Sequence, residues 1–301
     1  MMQQTDSNCM KFSFSLPQDF KGTLTGYRSL GDLAAHLAPL SDVNVEINGL
    51  SRWCDGHLCA PLGAILSLAR QRNVHIIVGE EVATPIKLVW GKNGFWPYVG
   101  GVNMIDTNDT TLAFEQFNAT DEKRFAQYVA RELLPKELPK MSDSAKKRFG
   151  SSVQETFNNA ISHTGMADGE RVFCCGQHYP TGNRLAFCIA DLGVGFQHNV
   201  ERFLSKSCPN CASIDWALDE GNTTKGRLGG LGLTLLWEWI QRNEGRLQIV
   251  SQSDYWEGSS LGIKRFQLPH SFPGTVVTLH INTWDEKSYE DFFAVQSGPL
   301  F

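Results

Sequence analysis

The sequence predicts an α+β fold in two parts. Behind residue 146 the pattern runs helix (147–164), strand (170–176), strand (184–190), loop and helix (191–205), polar stretch (206–228), helix (230–242) and strands at 246–251, 261–268 and 274–282. Helices followed by a meander of mostly neighbouring strands make a sandwich of helices on a sheet. Ahead of it, a strand, a crossover helix and a strand make a βαβ-type unit, most naturally parallel. Composition is the third observation. With 42% apolar and 20% charged residues, the 301-residue chain can bury a sizeable core, on a length with room for about two domains.

The elements follow in chain order. Residues 10–18, MKFSFSLPQ, alternate apolar and polar as a half-buried strand does. Tyr27, Leu30, Leu33, Ala34 and Leu37 fall at helical spacing, and Val43, Val45 and Ile47 alternate again. Residues 58–72 form a helix with Pro61 at its start, where a missing N–H is tolerated. Asn73 stops it, and 74–78 is a short apolar strand. Gly91, Gly94, Gly100 and Gly101 suggest turns between short strands across 79–117, with Trp90, Phe95, Trp96 and Tyr98 as packing aromatics. Residues 121–138 are an amphipathic helix with Phe125, Tyr128, Val129 and Leu133 on one face. The polar, lysine-rich stretch 136–149 marks the connection. This gives an N-terminal domain (1–105), a helical connector (106–146), a C-terminal domain (147–285) and an acidic, aromatic tail (286–301).

The net charge of -5 is mild and argues against a dominant nucleic-acid surface. No run approaches the ~18 apolar residues of a membrane-spanning helix. The N-terminus, MMQQTDSNCMKF, has no apolar export segment, so a cytoplasmic protein is expected. The eight cysteines lack the regular spacing of a disulfide framework. Cys174, Cys175 and Cys188 sit in apolar runs as buried thiols. Cys208-Pro-Asn-Cys211 is a lone C-x-x-C pair, with no second pair to complete a four-ligand zinc site.

Four segments carry chemistry. On the first helix, Glu155, Asn159 and His163 are spaced i, i+4, i+8 beside an apolar stripe of Val153, Phe157, Ala160 and Ile161. A carboxamide oxygen suits magnesium, and a carboxylate one turn earlier can orient or deprotonate a hydroxyl. The plain alternative is a solvated helix face. Next, an apolar strand runs into Asp191-x-Gly193-x-Gly195. An ionised Asp only accepts hydrogen bonds, which suits an exocyclic amine; an ordinary Asp-x-Gly turn is the alternative. Third, Thr223-Thr224-Lys225 and Gly229-Gly230-Leu231-Gly232-Leu233 open an apolar helix whose free N–H groups attract anions; a linker before a core helix is the alternative. Last, Gly274-Thr275 opens a β-branched strand that is good core material in its own right.

In this order, the four segments resemble the GHKL superfamily of gyrase-type topoisomerases, heat-shock chaperones, histidine kinases and mismatch-repair ATPases, over about residues 147–283. The resemblance implies an α/β sandwich, with a mixed sheet covered by helices on one face, that binds ATP and Mg2+. It makes Glu155 of the N box the catalytic acid or base and Asn159 the metal ligand. Asp191, Gly193 and Gly195 form the G1 box on adenine. Thr224 and Lys225 lie in the lid, Gly230, Leu231, Gly232 and Leu233 form the G2 box, and Thr275 joins a water network at adenine. Leu228 departs from the glycine often found there in kinases of the family.

No histidine lies between His75 and His163, so the upstream phosphoacceptor of histidine kinases is missing from its usual place. The domain is also too short for the transducer of gyrase-like enzymes. The branch that remains is similar to the anti-sigma-factor serine kinases. Residues 10–100 resemble a STAS domain, the partner fold of such kinases, with Asp55 near the place of its phosphorylated serine and Ser51 too early for it. The implied protein is a magnesium-dependent ATP-binding regulator in signalling, an ATPase or a serine/threonine protein kinase of the anti-sigma type. It would act on a regulatory protein partner, with a homodimer as an open option. The alternatives are an ATP-gated conformational switch and a degenerate interaction module without catalysis.

Overall fold

The computed structural model describes residues 11–136, 138–162, 171–219, 222 and 231–289. The N-terminal unit comprises β1 (Lys11–Leu16), β2 (Asp19–Phe20), α1 (Leu24–Leu37), β3 (Asn44–Gly49), β4 (Trp53–Cys54), α2 (Cys59–Gln71) and β5 (His75–Val78). β1, β3 and β5 form a parallel three-stranded sheet in chain order, and β2 and β4 make a short parallel pair. Parallel neighbours need crossovers, and α1 and α2 supply them. Tyr27, Leu30, Leu33 and Leu37 of α1 and Leu62, Ile65 and Leu66 of α2 share one core with Val45 and Ile47 of β3.

Residues expected to be short strands between turns form α3 (Thr84–Lys92) and α4 (Phe95–Tyr98) instead. Gly94, at φ 81°, is the break between these two helices rather than a strand turn. Trp90 and Phe95 pack edge to face across that break, their ring centroids 5.0 Å apart. β6 (Thr111–Phe117) follows inside the stretch expected to be a helical connector, and then α5 (Glu122–Tyr128), continued by a π turn over Val129–Leu133.

The second part contains α6 (Asp143–Ser162), β7 (Val172–Tyr179), β8 (Arg184–Asp191), α7 (Gly195–Leu204), α8 (Ala212–Leu218), α9 (Leu231–Arg242), β9 (Arg246–Ser251), β10 (Asp254–Ser259), β11 (Gly262–Gln267) and β12 (Thr275–Asn282). A seven-stranded sheet runs β11-β10-β9-β12-β8-β7-β6, and every one of its pairings is antiparallel. This corrects the expected mixed sheet. β8 and β9 do run the same way, but β12 lies between them and pairs antiparallel with both. The polar stretch 206–228 also contains α8, whose Asp215 accepts from Trp256 Nε1 at 2.9 Å and from Arg265 Nη2 at 2.6 Å.

Alternation along the strands sorts the sheet into two buried faces. On the front face, Leu185, Phe187 and Ile189 of β8 and Val277, Leu279 and Ile281 of β12 pack on α6 and α9 through Phe149, Val153, Phe157, Leu236 and Trp239. On the back face, Phe173, Cys175, Cys188, Ala190, Val250 and Val276 share the core of the N-terminal unit. Helices therefore cover both faces rather than one. α2 is buried almost all round because it lies between the small parallel sheet and the large one.

Polar contacts fix the docking. The Asp55 carboxylate accepts from Gly22 N, Trp53 Nε1 and the Tyr179 hydroxyl, each at 2.9 Å, and from Arg184 Nη2 at 3.4 Å. Burial alone would raise this carboxyl, but His57, the Trp53 and Gly22 donors and Arg184 outweigh it and hold it below its ordinary value. The Tyr27 and Thr278 hydroxyls meet at 2.8 Å, and Gly56 N donates to Gln177 Oε1 at 2.8 Å. His57 packs edge-on against His280 of β12, ring centroids 5.2 Å apart. Burial, partly offset by Asp55 and reinforced by Arg184 and Arg246, pushes His57 down to about 4.

Candidate functional site

Two pairs of candidate residues are brought together: Asp191 with Thr275 at one end of the front face, and Glu155 with Gly232 on the helices that cover it. Asp191 is the last residue of β8, and Thr275, the first residue of β12, pairs directly with it. Thr275 also pairs with Ser251, the last residue of β9. A carboxylate and two hydroxyls thus stand in a row across three neighbouring strands, all buried. Asp191 Oδ1 accepts from Gly193 N at 2.8 Å, which folds the chain back over the strand end.

Two glycines allow that crowding. Gly274 has φ 153°, and a Cβ there would collide with the Asp191 carbonyl. Gly195 has φ 81°, and its Cβ would stand 2.6 Å from Ser251 Oγ. Both positions need backbone freedom and an absent side chain at once. Phe196 N, one of the free donors in the first turn of α7, is satisfied by Ser251 Oγ at 2.8 Å.

α6 supplies the second wall. Val153, Phe157 and Ala160 are buried, whereas Glu155 and Asn159 are half-buried along the neighbouring stripe. Glu155 rests on the first turn of α9, where a Cβ on Gly232 would come within 2.5 Å of Oε2. The N-box and G2-box expectations thus fall on two touching helices. The Leu233 side chain points into the core, 4% exposed. Beneath this wall, Val153, Thr156, Ile189, Leu236, Val277 and Leu279 line a narrow apolar seam between the helices and the sheet.

His163, Thr224, Lys225 and Gly230, and the side chain of Leu231, lie outside the described residues. Among the described residues no group of three or more His, Cys, Asp or Glu is arranged to hold a metal. The carboxamide oxygen of half-buried Asn159 is a donor that suits magnesium, an ion that takes few protein ligands and keeps several waters. Cys208 and Cys211 are buried free thiols, as are Cys174, Cys175 and Cys188. Ser251 was not singled out from the sequence; its signal is a polar residue on the strand face otherwise carrying Leu247 and Ile249.

No protein-family model and no curated protein matches the chain. Among solved structures, the histidine kinase domain of a blue-light-activated histidine kinase from Erythrobacter litoralis EL346 aligns with 85% of this chain and 94% of its own, at 14% identity and a TM-score of 0.30. That likeness assigns neither family nor activity. No described helix is long and apolar enough to cross a membrane.

Proposed function

We propose that the Asp191 end of the large sheet binds ATP with Mg2+, and that the protein is a GHKL-type ATP-dependent regulator, an ATPase or protein kinase. The observation that carries this reading is the meeting of Asp191, Thr275 and the 193–195 turn at one strand end, on the sheet face that α6, the helix of Glu155 and Asn159, covers. A buried carboxylate beside a hydroxyl suits the amine of adenine, because the carboxylate offers only acceptors. The N-terminal end of α9 would supply the N–H groups and the positive dipole end of a helix for phosphates. Asn159 would hold the magnesium, which supplies charge neutralisation at the phosphates. Glu155, half-buried one turn earlier, would orient or deprotonate the attacking hydroxyl or water.

Docked on the back of this sheet, the STAS-like unit would serve as the regulatory half. It touches β8, β9 and β12, the three strands that carry Asp191, Ser251 and Thr275.

Melting the protein against Mg-ATP and Mg-GTP tests the reading. A ligand at 100 times its Kd stabilises the native state by ~2.7 kcal/mol, so a rise with ATP and a smaller one with GTP is expected. No shift at millimolar ATP would leave the interaction module without catalysis as the better description. Labelled-phosphate transfer to a candidate protein then separates kinase from ATPase, and Glu155→Ala should abolish turnover while binding survives.

A further inference from the structure

The front-face stripe of β9 runs Leu247, Ile249, Ser251, and the third position breaks an otherwise apolar series. Ser251 is 4% exposed, and burying a hydroxyl is costly unless it is bonded. Its bonds lead in two directions. It accepts from Phe196 N at 2.8 Å, and its Oγ lies 3.5 Å from Thr275 Oγ1. The first contact holds the start of α7, directly behind the Gly193 turn that caps Asp191. The second holds the threonine in register with Asp191. Gly195, with no side chain, lets that loop close down onto Ser251.

We propose that Ser251 is a positioning residue for the adenine end of the site, fixing the 193–196 loop and the Thr275 hydroxyl relative to Asp191. This rests on the ATP reading and adds a residue to it. Ser251 would act through its neighbours, so its removal loosens the pocket around the base and leaves the phosphate end unchanged. A residue serving only as a cap for α7 would lower the melting temperature and leave ligand affinity alone.

The test measures affinity of the full chain for adenosine, ADP and a non-hydrolysable ATP analogue with magnesium, in wild type and Ser251→Ala. All three ligands should weaken by the same factor, roughly three- to tenfold, the worth of one hydrogen bond. Amide exchange at Phe196 should quicken in the same variant. Thr275→Val removes the hydroxyl at the other end of the link together with its own place beside the base, and should give a uniform loss at least as large. The double variant should lose less than the product of the two single effects, because the residues act as one unit. Wild-type affinity in Ser251→Ala, a loss confined to the triphosphate, or fully multiplicative effects would overturn the role of Ser251 alone. Failure of wild type to bind any of the three ligands would remove the ATP reading and this inference together.

Discussion

Glu155 packs against Gly232, joining α6 to the first turn of α9 at the mouth of the site. A Cβ on Gly232 would lie 2.6 Å from Glu155 Cβ as well as 2.5 Å from Oε2, so the clash reaches the stem of the side chain and cannot be relieved by a rotamer change alone. Gly232→Ala should therefore push the helices apart, costing about 1–3 kcal/mol in urea unfolding, the range for overpacking a close contact. Turnover should fall as Glu155 is displaced. Unchanged stability would mean that the two helices separate freely.

Asp191→Asn tests the base-reading role. The amide keeps an acceptor for Gly193 N but replaces a charged acceptor with a mixed group, so the fold should persist. Affinity for ATP should drop by roughly ten- to a hundredfold, the worth of a hydrogen bond to a charged group. Calorimetric titration beside a melting curve separates lost affinity from lost fold.

Asp55→Ala should be among the most damaging single changes in the interface. It strands the buried Gly22 N–H and removes the shared acceptor of the half-buried Tyr179 hydroxyl and Arg184 and of the exposed Trp53 ring N–H. Leaving a buried donor unsatisfied costs about 1–3 kcal/mol. A loss below about 1 kcal/mol in denaturant would show that the docking rests on its apolar contacts instead.

The His57–His280 pair gives the fold an acid limit. Burial lowers both imidazoles, His57 to about 4 from 6.5. Their neutral state costs nothing above the unfolded value. As pH falls below it, the unfolded chain takes up protons first, and each histidine removes up to about 1.4 kcal/mol per pH unit until its folded value is reached. Urea midpoints should be flat above neutrality and fall between pH 6.5 and 4, and His57→Gln should shallow that fall. A flat profile in wild type would contradict the buried neutral pair.

Much of this was legible in the chain. β8 and β12 are apolar runs that end in Asp191 and begin after Gly274, and the small parallel unit announced itself by period alone. β10 was hidden because both its faces are buried, so it does not alternate, while Asp254, Glu257 and Gly258 cut its apolar run to Tyr255 and Trp256. α8 was hidden by Asp215 and its polar flanks, whose partners Trp256 and Arg265 come from distant strands. The docking on the back face had one signal. α2, CAPLGAILSLARQ, is apolar around most of its circumference, which a helix covering a single sheet would not need. Ser251 breaks the apolar stripe of Leu247 and Ile249, but its neighbour Thr275 is set only by register.

ATP binding at the Asp191 end is decided by a crystal structure of the full chain with a non-hydrolysable ATP analogue and magnesium. The adenine amine should donate to the Asp191 carboxylate, with Thr275 beside the ring, the phosphates at the start of α9 and the metal on Asn159. Analogue bound elsewhere, or a base held without Asp191, would contradict it.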